Sequence, residues 1–236
     1  MEGRLKATGV MFVAPGGGDV SIQDIKVSAD TDLVDGAAMI RWYDPATTKW
    51  SYATIGEDYD LPGGGVLTGL GWGDPDLLEA TEKTFGAGEA VMIDINAGYA
   101  NPKVTVAGQV YTLSTEATVS VPLVEGRLKA VANPMPSGAY LDIQDIKVDA
   151  DTAFVDGAAM IRWYDPATTK WSYATIGEDY DLPGGGTLSG LGWGDPDLLE
   201  ATEKTFGPGE SVMIDINAGY ANPVAIFPNP LAPVTP

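Results

Sequence analysis

Apolar and polar residues alternate at a spacing of two over many short runs of this chain, and sustained helical spacing is rare. Residues 37–43 (AAMIRWY) and 50–55 (WSYATI) are rich in β-branched and aromatic side chains and predict the arms of a hairpin. Between them lies DPATTK, where Asp44-Pro45 supplies a preset φ and a side-chain acceptor for a turn. Residues 90–97 (AVMIDINA) set Val91, Ile93 and Ile95 on one face against Met92, Asp94 and Asn96. Residues 103–113 and 117–123 alternate in the same way. Residues 74–85 (DPDLLEATEKTF) fit one short helix, with Asp74 as N-cap, Pro75 at N1 and Gly86 past its end. Thr81 and Thr84 weaken that helix, and a helical turn leading into a strand fits equally well. Many short strands separated by Gly and Pro turns predict an all-β protein of sandwich or barrel-like domains with short helical turns.

The whole pattern then repeats. IQDIKV begins at Ile22 and again at Ile143, an offset of 121 (143 − 22), and the alignment runs without a gap to Asn101-Pro102 and Asn222-Pro223. Seven positions differ inside it: Ser28/Asp149, Asp32/Ala153, Leu33/Phe154, Val66/Thr187, Thr68/Ser189, Ala87/Pro208 and Ala90/Ser211. Copies this similar must fold alike, which predicts two tandem, near-identical domains over residues 1–123 and 124–236. Met1 aligns with Val124 ahead of a shared EGRLKA, so the chain starts at a repeat boundary.

The copies stop matching at their ends. Copy one continues into KVTVAGQVYTLSTEATVSVPL, enough for two strands. Copy two continues into VAIFPNPLAPVTP, where five prolines from 223 to 236 argue against a central strand. At the front, copy one carries the apolar run GVMFVAP and copy two carries AVANPMPSG. One domain is therefore expected to have an incomplete sheet, and proteins rarely leave such an edge uncovered. The apolar Val10, Met11, Phe12 and Val13 at the front, and Val224, Ile226 and Phe227 in the tail, are the candidate arms that would complete a neighbour's sheet.

Charge and composition narrow the chemistry. With 33 acidic against 13 basic side chains the formal net charge is −20, which repels nucleic acid. There is no Cys and no His, which removes disulfides, Cys/His zinc sites, thiol nucleophiles and His-based triads. LPGGG lacks the Lys-Ser/Thr of a phosphate-binding loop, and no carboxylate pair stands out from the others, so enzymatic activity is not expected. No stretch is long and apolar enough to be a membrane-spanning helix.

Two side-chain groups remain. Trp50, Tyr52, Trp171 and Tyr173 would form an aromatic platform able to stack on sugar rings, in duplicate. Core packing and cross-strand pairing is the preferred reading of the same residues. Asp30 and Asp35, with Asp151 and Asp156 in the second copy, lie in Asp- and Gly-containing loops that suit Ca²⁺. Asp32 becomes Ala153, and solvated loop charges explain these letters as well. No cofactor other than calcium is expected.

The set VANPMPSG, LDIQDIKV, GAAMIRWYDPATTKW, GWGDPD and FGPGESVMI, with VTVAGQV closing copy one, resembles uncharacterised secreted bacterial tandem β-repeat proteins. The resemblance covers nearly the whole chain and implies an extracellular or cell-surface setting, but names no activity. Copy two departs from the pattern in lacking an AGQV strand, and copy one in replacing NPMP by GVMFVAPGGG. The expected function is a self-assembling structural subunit of a filament or surface layer, a homopolymer joined head-to-tail through a terminal arm. The alternative is a tandem carbohydrate-binding or adhesion module.

Overall fold

A computed structural model describes residues 6–9, 12–13, 19–44, 47–86, 88–106, 109–110, 118–133, 140–165, 168–207 and 210–228. The chain is all-β; among the described residues the only helical pieces are the 3-10 turns Ile22–Asp24 and Ile143–Asp145. It divides into two compact units, Met1–Tyr111 and Thr112–Pro236. No helix among the described residues is long and apolar enough to cross a membrane.

The first unit contains β1 (Lys6–Gly9), β2 (Phe12–Val13), β3 (Val20–Ser21), β4 (Ile25–Ser28), β5 (Ala38–Asp44) and β6 (Lys49–Gly56). It continues with β7 (Gly71–Asp74), β8 (Glu79–Ala80), β9 (Thr84–Phe85), β10 (Ala90–Ile95), β11 (Lys103–Val106) and β12 (Gln109–Val110). One antiparallel sheet runs β1-β10-β5-β6-β7-β8, and the pairs β3-β9, β4-β11 and β2-β12 form small sheets. β5 and β6 are the expected hairpin, with Arg41 opposite Tyr52. Thr47 donates to the Asp44 carboxylate at 2.9 Å across the turn, while Pro45 lies outside the described residues. In β5 the period of two is visible as burial: Ala38, Ile40 and Trp42 enter the core, and Met39 and Arg41 are half-buried on the other face.

Of the two readings for residues 74–85, the helix is not formed and a turn leading into a strand is. Asp74 Oδ1 does accept from the N–H groups of Asp76 and Leu77, as an N-cap would. Leu78 then takes a left-handed φ of 55°, and the chain turns back as β8 to pair with β7. The side-chain acceptor closes a turn rather than opening a helix.

A single side chain ties the small elements to the large sheet. Gln23, on the 3-10 turn, accepts from Trp72 N–H at 3.0 Å and donates to Trp72 C=O at 2.7 Å and Thr81 C=O at 3.1 Å. The Trp72 indole N–H reciprocates by donating to Ile25 C=O at 2.7 Å. Ile22, Ile25, Ile40, Trp72, Phe85 and Ile93 are all buried around this lock. The glycines flanking Trp72 follow from it. A Cβ on Gly71 would strike Leu67 and Gln23, and one on Gly73 would lie 2.5 Å from the Tyr59 ring.

The second unit repeats these elements. Its strands are β13 (Thr118–Pro122), β14 (Leu128–Ala132), β15 (Leu141–Asp142), β16 (Lys147–Asp149), β17 (Ala159–Asp165) and β18 (Lys170–Gly177). They continue with β19 (Gly192–Asp195), β20 (Glu200–Ala201), β21 (Thr205–Phe206), β22 (Ser211–Ile216) and β23 (Val224–Pro228). The large sheet is β14-β22-β17-β18-β19-β20, and Gln144 holds Trp193 and Thr202 as Gln23 holds Trp72 and Thr81. Among the described residues β2-β12 has no counterpart, and one sheet differs: β13-β23-β16 has three strands where β4-β11 has two.

That sheet changes two expectations. The boundary expected after Leu123 falls after Tyr111, because the segment that follows copy one pairs as β13 with β23 and belongs to the second unit. The tail prolines do not exclude a central strand either. Pro223 precedes β23 and Pro228 is its last residue, so residues 224–227 keep their N–H groups, and 224–226 lie between strands on both sides.

Replacing Gln23 by Leu leaves the Trp72 N–H and C=O without this partner, and should destabilise the first unit by about 2–4 kcal/mol. Amide hydrogen exchange checks this: faster exchange is expected across β5, β7 and β10, with the second unit unchanged. Val121→Asp, which places a charge in the core beneath β13, should act on the second unit alone. Unaltered exchange in β23 of that variant would contradict the role assigned to β13.

Candidate functional site

Two features stand apart from ordinary core packing: an exposed aromatic face present in both units, and a sheet edge that, among the described residues, is covered in the second unit only.

The aromatic face follows from the hairpin register. In β6 the core side is Ala53 and Ile55, so Trp50 and Tyr52 project from the opposite side and are 40% and 49% exposed. Trp171 and Tyr173 are 46% and 49% exposed at the same places. Core packing thus fails for these four, while cross-strand pairing holds for Trp50 and Trp171, which stand edge-on opposite Tyr43 and Tyr164. Core packing holds for Trp42 and Trp163, which are buried and meet Phe85 and Phe206 edge-on. Tyr43 is also buried, with Trp50 against it edge-on at 5.9 Å. In the second unit Met160, Arg162, Trp171, Ser172 and Tyr173 line a shallow open groove of about 290 Å³. Arg162 lies 3.7 Å from the Asp215 carboxylate beside it, an exposed pair that contributes little to stability. The groove thus offers aromatic faces rimmed by a guanidinium and a carboxylate, the chemistry that suits a polyhydroxylated ring.

The four candidate calcium carboxylates are engaged in tying loops. Asp30 accepts from the Asn101 amide at 2.7 Å, and Asp151 from Asn222 at 2.8 Å. Asp35 accepts from Glu57 N–H, and Asp156 from Glu178 N–H, both at 2.9 Å. Among the described residues no three acidic side chains gather as a metal site.

The candidate arms are also occupied. Val10 and Met11 lie outside the described residues, and Phe12 and Val13 form β2, paired with β12. Val224, Ile226 and Phe227 are not a free arm. They lie in β23 between two strands of their own unit, with Phe227 fully buried.

The edge is where the units differ. β11 and β23 occupy the same place: Val104 faces Val27 as Ala225 faces Val148. β13 covers the far side of β23, and Ala225 and Phe227 beneath it are 0% exposed. Val121 and Leu123 join the same core. β11 pairs with β4 only among the described residues, and its inward Val104 and Val106 are half-buried. β13 also carries its own termination. Leu123 N–H donates to Pro223 C=O at 2.7 Å, so the odd residues of this stretch face β23 and Pro122 faces outward. Proline has no N–H to offer there, and the buried Lys129 ammonium takes its carbonyl at 2.7 Å. Sequence reading did not foresee this clamp, since only the fold brings Lys129 to Pro122.

No family model matches this chain, and neither a curated protein nor a solved structure does.

Proposed function

We propose that this chain is a structural subunit of an extracellular filament or surface layer, its modules joined head-to-tail by β-strand complementation. One observation carries the reading: a segment outside the repeated sequence, β13, completes the sheet of the second unit. The edge of β11 in the first unit is the matching place without such a strand among the described residues. A strand supplied there by a neighbour links one molecule to the next, and a head-to-tail contact that does not close builds a linear polymer. The terminal stretches in β2 and β23 are not the donors in this reading, because both are already paired. The net charge of −20 suits such a subunit by opposing unspecific association. The extracellular setting rests on the resemblance of the repeats to secreted β-repeat proteins. Sedimentation velocity and electron microscopy of the purified chain test the proposal: linear particles are expected at high concentration. A monomer at every concentration would end the self-assembly reading.

A second reading, a tandem glycan-binding or adhesion module, is favoured by the exposure of Trp50, Tyr52, Trp171 and Tyr173. Under it, Trp50→Ala with Trp171→Ala abolishes binding on a glycan array while leaving the fold intact, since neither indole is in the core. Silence of the unaltered chain across a broad array removes this reading.

A further inference from the structure

Resting on strand complementation as the joining mode, we infer that the outer edge of β11 is the acceptor, and that it takes one kind of partner. The partner is a polypeptide strand with the chemistry of residues 118–123 (TVSVPL), presented by a neighbouring molecule.

The second unit is the template. Its β23 has the same inner neighbour and register as β11, and its outer side holds such a strand over five residue pairs, from Thr118↔Pro228 to Pro122↔Val224. By the alternation fixed at Leu123, the N–H and C=O groups of Ala225 and Phe227 face β13. Their counterparts Val104 and Val106 therefore turn theirs to the open side of β11, while Lys103 and Thr105 turn theirs to β4. The missing cover is visible as burial: Ala225 and Phe227 are 0% exposed, but Val104 and Val106 are half-buried. Backbone positions needed for the clamp are also in place. Lys129 stands opposite Ile214 in β14-β22, and Lys6 stands opposite Ile93 in β1-β10, the same register position.

The acceptor sets the chemistry of the donor. Alternate residues must be apolar to fill the gap over the core, as Val119, Val121 and Leu123 do. The intervening residues face solvent and are polar in β13, as Thr118 and Ser120. A proline at the position of Pro122 removes one donor from the outer side of the new strand, which hinders further addition.

The test uses the full chain with a synthetic peptide of residues 115–125 (TEATVSVPLVE). Amide exchange at Val104 and Val106 is expected to slow about tenfold when the peptide is at ten times its Kd. A peptide N-methylated at the residues matching Val119 and Val121 keeps every side chain but loses the facing donors, and should give no protection. The inference is overturned by absence of protection, by equal protection from both peptides, or by peptide signals confined to β23. Protection that rises with protein concentration and without peptide would show the strand coming from a second copy, as the proposed assembly requires, and would support the acceptor. Linear particles with an unprotected β11 remove the acceptor and leave the assembly. Protection by the peptide in a chain that stays monomeric alone does the reverse.

Discussion

The fold depends on one side chain reaching across layers. Gln23 occupies both backbone groups of Trp72 and one of Thr81, and Trp72 returns a bond to Ile25. Buried peptide groups must be paired, and here a side-chain amide supplies the pairing that a neighbouring strand supplies elsewhere. With these bonds made, the 3-10 turn is fixed against β7, and β4, which follows it directly, is fixed as well. β11 is placed by its pairing with β4. The position of the open edge is thus set by a lock at the far end of β4. Gln144 does the same for β16 and β23.

Given that lock, the two units face one physical problem and meet it differently. A strand in the place of β11 or β23 has apolar residues beneath it and backbone groups on its far side. In the second unit β13 satisfies both needs, and Pro122 with Lys129 then closes the sheet. In the first unit neither need is met among the described residues.

Much of this was legible in the letters. The period-two runs gave β5, β6 and β10, and the repeat gave two units of one plan, because identical sequences have identical core faces. The misses have physical causes. Asp74-Pro75 looks like a helix start because an Asx turn and an N-cap use the same side-chain acceptor. The prolines of the tail hid β23 because a count of prolines ignores that two of them sit at the strand's limits. Aromatic residues are usually buried, which misplaced Trp50 and Tyr52; only strand parity, which sets Ala53 and Ile55 inward, shows them facing out. Membership of β13 in the second unit is a long-range pairing, and no local pattern encodes it.

The residues that differ between β11 and β23 fit their different surroundings. Val224 and Ile226, half-buried on the outer face of a three-stranded sheet, are replaced in β11 by Lys103 and Thr105, both exposed. An open edge with an apolar outer face would pair with any passing strand, and an exposed Lys and Thr raise the cost of such contacts. These substitutions leave the inward valines and the outward-facing N–H and C=O groups of Val104 and Val106 untouched. The edge is thus shielded against unspecific pairing by its face, while its ladder stays complete. A strand with apolar residues at alternate positions gains both the ladder and the core contacts. One without them gains the ladder alone and leaves the half-buried valines uncovered, and under the acceptor proposal that difference would make the edge selective.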